Sequence, residues 1–378
     1  MAMYPILGHA ELKVVPYGFV KLDTQYNTKN TGSFPSPKIT AIPLDSNLSA
    51  QHGQLIIDAR HTRVGIRGTE IWKEIKWLGV LEADFYTRGG NALSTNGHLP
   101  RLRLGYGKAE LASRFFVLGG QYRGLMWNDE IAVADLIDYA GPVASSEIRQ
   151  PQLRIGYSYD FSSAGKIRIE ADAEKHSLNT LGVVDFSNAT DTAQGSGLKF
   201  PLLVSKFTWM PKYFKTELSG AIAKSYVVLN EGGAQVDTLV WGVQTASQLE
   251  LSPITIYFRG YYLSGLSRLV RPRFRDCVLV GERLEPVQTL GGYIGARYDV
   301  TKFLSINTVI SWAETQKISG SVLSGNEIQI ARSFCINFLY EFWTRCKTGL
   351  EYQYDELQAF DGTPGKVNIF HSALWFYF

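Results

Sequence analysis

This chain of 378 residues is short of the features that would give its role away at once. Nowhere does it approach the roughly 20 consecutive apolar residues that a membrane helix needs. With a mean hydropathy of −0.07 it is not a helical membrane protein. A one-sided charge is also lacking: 38 Lys and Arg against 35 Asp and Glu leave +3, so no nucleic-acid partner is expected. Cysteine is scarce, and Cys277, Cys335 and Cys346 form neither a CxxC nor a zinc-like spacing. Enzyme motifs are missing as well. The six histidines make no HExxH or HxxxH pair, and there is no GxSxG, P-loop or GxGxxG. His371 and Ser372 are adjacent, which on a strand points them to opposite faces. No catalytic residue, metal or cofactor is therefore expected. Met1-Ala2-Met3 shows neither the charged nor the apolar region of an export leader, so a start standing in place of a removed leader is the expectation, with residues 1–11 an N-terminal periplasmic segment.

What is present is alternation. Aromatics make up 13% of residues, with 20 Tyr, 20 Phe and 8 Trp, and there are 36 glycines, a mixture that suits a β-rich chain. In Lys166-Ile167-Arg168-Ile169-Glu170-Ala171-Asp172-Ala173-Glu174 every even position is charged and every odd one apolar or small. A strand puts those two sets on opposite faces, whereas a helix would scatter them. Leu81-Glu82-Ala83-Asp84-Phe85-Tyr86 repeats the pattern. So does the N-terminal stretch, where Tyr17, Phe19, Lys21 and Asp23 oppose Gly18, Val20 and Leu22.

Such segments occur near 12–27, 54–68, 75–88, 99–111, 113–123, 149–160, 165–177 and 200–210. They continue near 213–227, 238–250, 253–267, 284–299, 302–315, 328–341, 344–358 and 366–378. That is about 16 strands, an even number, with short turns such as Met210-Pro211-Lys212 alternating with long polar stretches at 28–53, 178–199 and 268–283. An all-β fold follows: a single transmembrane antiparallel barrel over residues 1–378, its long stretches exposed at one rim. Cys335 and Cys346 fall on neighbouring expected strands, so a cross-strand disulfide and unpaired buried thiols both stand open, the thiols slightly ahead.

The chain ends on Leu374-Trp375-Phe376-Tyr377-Phe378. In water such a terminus would be unfavourable, but in a closed barrel Leu374, Phe376 and Phe378 form a lipid-facing row. A last strand ending this way resembles the assembly signal of bacterial outer-membrane barrels.

Arginine placement carries the functional reading. Arg63 and Arg67, Arg101 and Arg103, Arg154 and Arg168 each sit on the polar face of an alternating segment. A charge facing lipid at the bilayer midplane costs about 2–4 kcal/mol, so these faces are expected to line the lumen. Glu82, Asp84, Glu170 and Asp172, together with the acidic connection that carries Asp129, Glu130, Asp135 and Asp138, are expected to stand opposite as a second row. A transverse field would result, and guanidinium forks favour anionic solutes. The connection itself, residues 124–148, breaks the strand rhythm and is a candidate for folding into the lumen and narrowing it. The loop arginines Arg268, Arg271, Arg273 and Arg275 are read as a solvated run able to meet lipopolysaccharide or partners.

The stretches YGFVKLD (17–23), DARHTRVGIRG (58–68), LEADFY (81–86), RLRLGYGKAEL (101–111), FVLGGQYRGLMWND (116–129) and EIRQPQLRIGY (147–157) resemble, in content and order, the DcaP-like family of trimeric outer-membrane porins of Gram-negative bacteria. The likeness covers about the first 160 residues; beyond them only the strand rhythm and the terminal Phe agree. It implies a 16-stranded trimeric barrel with arginines at its constriction and a bias toward anionic organic solutes such as dicarboxylates. Lys21, Arg63, Arg67, Arg103, Arg149 and Arg154 are the positions it carries over. TRVG also looks like the eyelet-arginine strand of general diffusion porins, which points at Arg63. The expected function is a passive channel in an outer membrane, as a homotrimer with lipid and lipopolysaccharide around it. A nonconducting adhesive barrel with partner-binding loops is the alternative.

Overall fold

Strict alternation along a strand leaves one face apolar, and a sheet that closes on itself can bury its polar face inside and leave no edge unpaired. The computed structural model follows that logic. It describes residues 12–32, 39–87, 97–126, 131, 135–138, 141–146, 148–176, 180–181, 196–228, 235–318, 325 and 327–378.

Sixteen antiparallel strands form the wall. β1 is Lys13–Asn27; β2 runs as Gln54–Asp58 and then Arg63–Trp72; β3 is Ile75–Asp84, β4 Arg101–Leu111, β5 Phe115–Arg123, β6 Arg149–Asp160 and β7 Lys166–Glu174. β8 is Leu202–Met210, preceded by the short Ser196–Leu198; β9 is Phe214–Val228, β10 Gln235–Leu251, β11 Ile254–Ser264 and β12 Gln288–Asp299. β13 is Leu304–Thr315, β14 Ile328–Trp343, β15 Cys346–Ala359 and β16 Pro364–Tyr377. Each pairs with its sequence neighbour, and β16 closes on β1 in the register Phe19–Tyr377 to Asn27–Ile369. Both described chain ends lie at the rim of tight turns. The opposite rim carries the long connections, which in barrels of this kind face outward.

β2 departs from the expected unbroken strand. Phe19 pairs with Arg63 and Asp23 with Asp58, so four steps along β1 match five along β2. The extra residue is absorbed at 59–62, where Thr62 N–H donates to Ala59 O at 3.0 Å and both Arg60 and His61 are buried. This is the behaviour of a β-bulge, which re-aims side chains at the cost of local pairing.

The sidedness is uniform. Leu22, Leu81, Leu153, Ile169, Leu203, Ile222, Ile310, Leu350 and Phe376 are exposed on the outer face. Their chain neighbours Lys21, Asp23, Glu82, Gln152, Glu170, Ala221, Glu351 and Trp375 are buried on the inner one. The terminal strand follows suit: Phe376 and Phe378 face outward and Trp375 inward, while Leu374 is half-buried on the outer face.

The interior differs from expectation in one respect. At the long-loop end the inner wall is apolar, with Leu202, Val204, Ala223, Val227, Val240, Ala313, Ala331, Leu357, Val367 and Ile369 in one cluster. Connections fill it: Ile39 and Ile42 from 28–53, Leu125 and Val143 from 124–148, and Leu269, Val270 and Phe274 from 265–287. Part of 28–53 and most of 265–287 thus fold inward rather than lying on the exterior. Within 265–287 a hairpin of Cys277–Val280 and Arg283–Pro286 adds a small sheet of its own.

All three cysteines are free and buried. Cys335 pairs across the ladder with Gln353 and Cys346 with Trp343, so the two thiols sit seven residues apart along β15. At about 3.3 Å per residue that is far beyond disulfide reach.

Candidate functional site

β2, β3 and β4 alternate in the same phase, so their inward side chains meet across the ladder. The registers Arg63–Asp84, Gly65–Glu82 and Asp84–Arg101 interleave the charges of three strands. Arg103 Nε donates to Glu82 at 2.9 Å and its Nη1 to Asp84 at 2.7 Å. Arg101 reaches Asp84 twice, at 2.9 and 2.7 Å, and Arg63 lies 3.5 Å from Glu82. One step on, β6 and β7 repeat the device: Arg154 Nε donates to Asp172 at 2.9 Å, with Glu170 3.8 Å away, and Arg168 donates to Ser158.

The expected opposition of a basic and an acidic row is therefore corrected. The four carboxylates Glu82, Asp84, Glu170 and Asp172 stand between the arginines on the same wall, because residues in register on adjacent strands are neighbours. Arg101 forks onto both oxygens of Asp84 and Arg103 bridges Glu82 and Asp84, which fixes these two guanidiniums in place. Arg67 is exposed, with its guanidinium 5.5 Å from the Tyr17 ring, and Arg149 faces Arg123 across the β5–β6 ladder.

Lys21 has a different place. Its ammonium has no exposed surface, lies 2.7 Å from Asp23 and donates to Ile137 O at 2.8 Å. Asp23 is also 2.8 Å from both His61 Nδ1 and His371 Nε2. Lys21 is thus a tether for the connection 124–148 and presents no charge to solute.

Other inner-wall groups hold the same connection. Glu351 accepts from Ile137 N–H at 2.8 Å and from Asn337 at 3.0 Å. Asn337 also donates to Asp135 O at 2.8 Å, and Lys347 pairs with the Asp135 carboxylate. Ile137 packs among Phe19, Leu339, Ala373 and Trp375, and its Cδ1 would lie 2.9 Å from a Cβ at position 349, which is why that position is Gly349. The entry is fixed by Glu174, which accepts from Leu125 N–H at 2.6 Å. Among the expected acidic residues, Asp138 lies 3.8 Å from Arg271, while Asp129 and Glu130 fall outside the described residues.

Arg271 brings in the connection 265–287. It donates to Gly141 O at 2.5 Å, and its backbone bonds Ala144 and Ser145 at 3.0 and 2.8 Å. The run read as solvated is thus partly structural. Its other members open a site that alternation had no means of revealing. At the long-loop end of β4–β7, a cavity of about 350 Å³ is lined by Arg101, Arg149, Lys175, Arg268 and Arg273, with no carboxylate among its described lining residues. His176 also lines it. Burial, and then the nearby Arg268, pull this imidazole down to about 3, and its Nε2 has no hydrogen-bond partner among the described residues. Arg268 and Arg273 are over 90 residues from the strands they meet, and only the run of alternating arginines at 268–275 marked them in the sequence.

A closed antiparallel barrel, apolar outside and charged within, with residues of three connections folded into its lumen, is an outer-membrane channel of the porin class. The chain belongs to the DcaP outer membrane protein family, whose model matches residues 4–276. It is a protein of the Gram-negative outer membrane. The outer membrane channel DcaP of Acinetobacter baumannii superposes with a TM-score of 0.78 at 20% identity, covering 97% of each chain. An anion-selective porin from Comamonas acidovorans gives 0.64 at 12% identity over 97% of this chain and 100% of that one. The trimer form of OmpT from Vibrio cholerae gives 0.59 at 10% identity over 97% and 99%. At these identities the likeness is one of fold. A comparison with curated proteins finds no match.

Proposed function

We propose that this channel passes small hydrophilic solutes with a preference for anions, organic dicarboxylates among them. The observation that carries the reading is the cavity at the mouth, where Arg149, Lys175, Arg268 and Arg273 gather beside the Asp84-bound Arg101, with no carboxylate among the described lining residues. An anion arriving from the long-loop side would find its charge matched there before it reaches the paired arginines of β2–β7. Solvent-accessible charge of one sign around a low-dielectric opening raises the local concentration of the opposite ion. Arg63, Arg67, Arg103, Arg149, Arg154 and Arg168 then line or brace the route, with Glu82, Asp84, Glu170 and Asp172 holding the wall arginines in register. Segment 124–148, clamped to β1, β14 and β15, serves as the size filter of a single barrel domain. Three such barrels assemble as a homotrimer, a reading supported by the trimer form of a fold relative.

The test is reversal potential in planar bilayers under a KCl gradient, with and without succinate as a competing dianion. Arg268→Ser combined with Arg273→Ser should shift the potential toward cations and weaken block by succinate. An unchanged potential removes the selectivity reading, and an absence of unitary current steps in the unaltered protein removes conduction itself.

A further inference from the structure

The outer surface of β11–β15 carries a hollow that the transport reading does not use. In register across these strands and on to β16, one outward-facing row reads Gly260, Gly292, Trp312, Arg332, Glu356, Lys366. One step toward the tight turns the next row reads Phe258, Ile294, Ile310, Phe334, Tyr354. The two glycines remove side chains from an otherwise crowded face. The Trp312 ring leans over one of them, with its Cζ3 3.1 Å from where a Cβ at 292 would be, and the Phe258 ring stands 3.4 Å from one at 260. Beside them lies an apolar depression of about 570 Å³ whose lining includes Phe258, Ile294, Ile310, Trp312 and Phe334, with Arg332 and Glu356 at its edge.

Charge caps its long-loop side. Arg332 and Lys366 flank Glu356 at 3.9 and 3.5 Å, distances too long for tight pairing. Their side chains stay 54% and 49% exposed. Two cations over one carboxylate on a lipid-facing wall would be wasteful unless an anion stood opposite them. The level is also informative, since it is the upper border of the apolar band, where the headgroups of the outward leaflet lie.

We propose that this hollow binds one lipopolysaccharide molecule of the outer leaflet, an acyl chain lying across Ile294, Ile310 and Phe334 and a glucosamine phosphate meeting Arg332 and Lys366. The acyl chain fills a surface too apolar for water. The phosphate supplies the charge that Glu356 supplies only at long range.

Native mass spectrometry of the detergent-purified channel, after addition of purified lipopolysaccharide, tests this. The unaltered protein should retain one molecule per protomer, and Arg332→Ser with Lys366→Ser should cut retention about thirtyfold, the size expected for two interfacial cations. Ile294→Trp, which fills the hollow from its exposed face without touching the charges, should do the same. Lys302→Ser, at a tight turn on the opposite rim, should leave retention unchanged. Equal retention by the charge variant overturns the proposal. So does equal competition by phosphatidylglycerol, which would make the site a general anionic-lipid contact, or loss of oligomer in place of lipid, which would make the face a protomer interface.

Discussion

An ammonium group with no exposed surface is costly unless every neighbour compensates it. Lys21 meets that condition through Asp23 and the carbonyl of Ile137, and Asp23 in turn rests on two imidazoles. Removing one partner of such a buried pair costs roughly 3–5 kcal/mol. Lys21→Met should therefore loosen residues 135–138 from β1 and raise single-channel conductance while leaving the strand count intact by circular dichroism. Conductance equal to that of the unaltered channel would mean that Glu351, Asn337 and Lys347 suffice to hold the segment. The basic identity of Lys21 is legible in the sequence, and its inward face is too. Its partner is not, because a contact between residues 116 positions apart leaves no periodic trace.

Strands are where sequence and structure agree most closely. All sixteen alternating segments become strands, with ends displaced by a few residues, because a half-buried sheet demands period two and nothing else in the chain imitates it. β6, expected at 149–160, is found there. β2 is the exception: alternation runs through 58–68 in the sequence, yet a bulge at 59–62 buries both Arg60 and His61, and nothing in local pattern marks an extra residue. The charge rows show a related limit. Alternation assigns Glu82 and Arg103 to inward faces but says nothing of which wall each belongs to; the β3–β4 register makes them partners at 2.9 Å. The outward rows make their own prediction. Ile222 sits mid-way along β9 with its side chain exposed, so Ile222→Arg should destabilise the barrel by about 2–4 kcal/mol in a lipid-vesicle unfolding titration. Unchanged stability would mean that this face does not meet hydrocarbon.

At the scale of the molecule, the channel is a polar cylinder partly refilled by its own loops. The apolar patch high on the inner wall was invisible to alternation because it interrupts no strand; it changes only what the inward positions are made of. Long-range electrostatics supplies the prediction here. Arg149, Lys175, Arg268 and Arg273 line an open cavity at the mouth, and the screening length shrinks from about 10 Å at 0.1 M salt to about 3 Å at 1 M. Anion preference should therefore be strong in dilute electrolyte and fade toward 1 M, read as the permeability ratio across a salt series. A ratio that holds constant would place selectivity with the buried, paired arginines instead.

The joint between Ala144 and Arg271 has a mechanical consequence. A filament fastened at its root and pinned at its middle can still flap toward its far end, but one also spliced there to a second filament becomes a truss. Solutes would then be sorted by a rigid mesh rather than admitted by a swinging door, and the current through an open channel should be quiet.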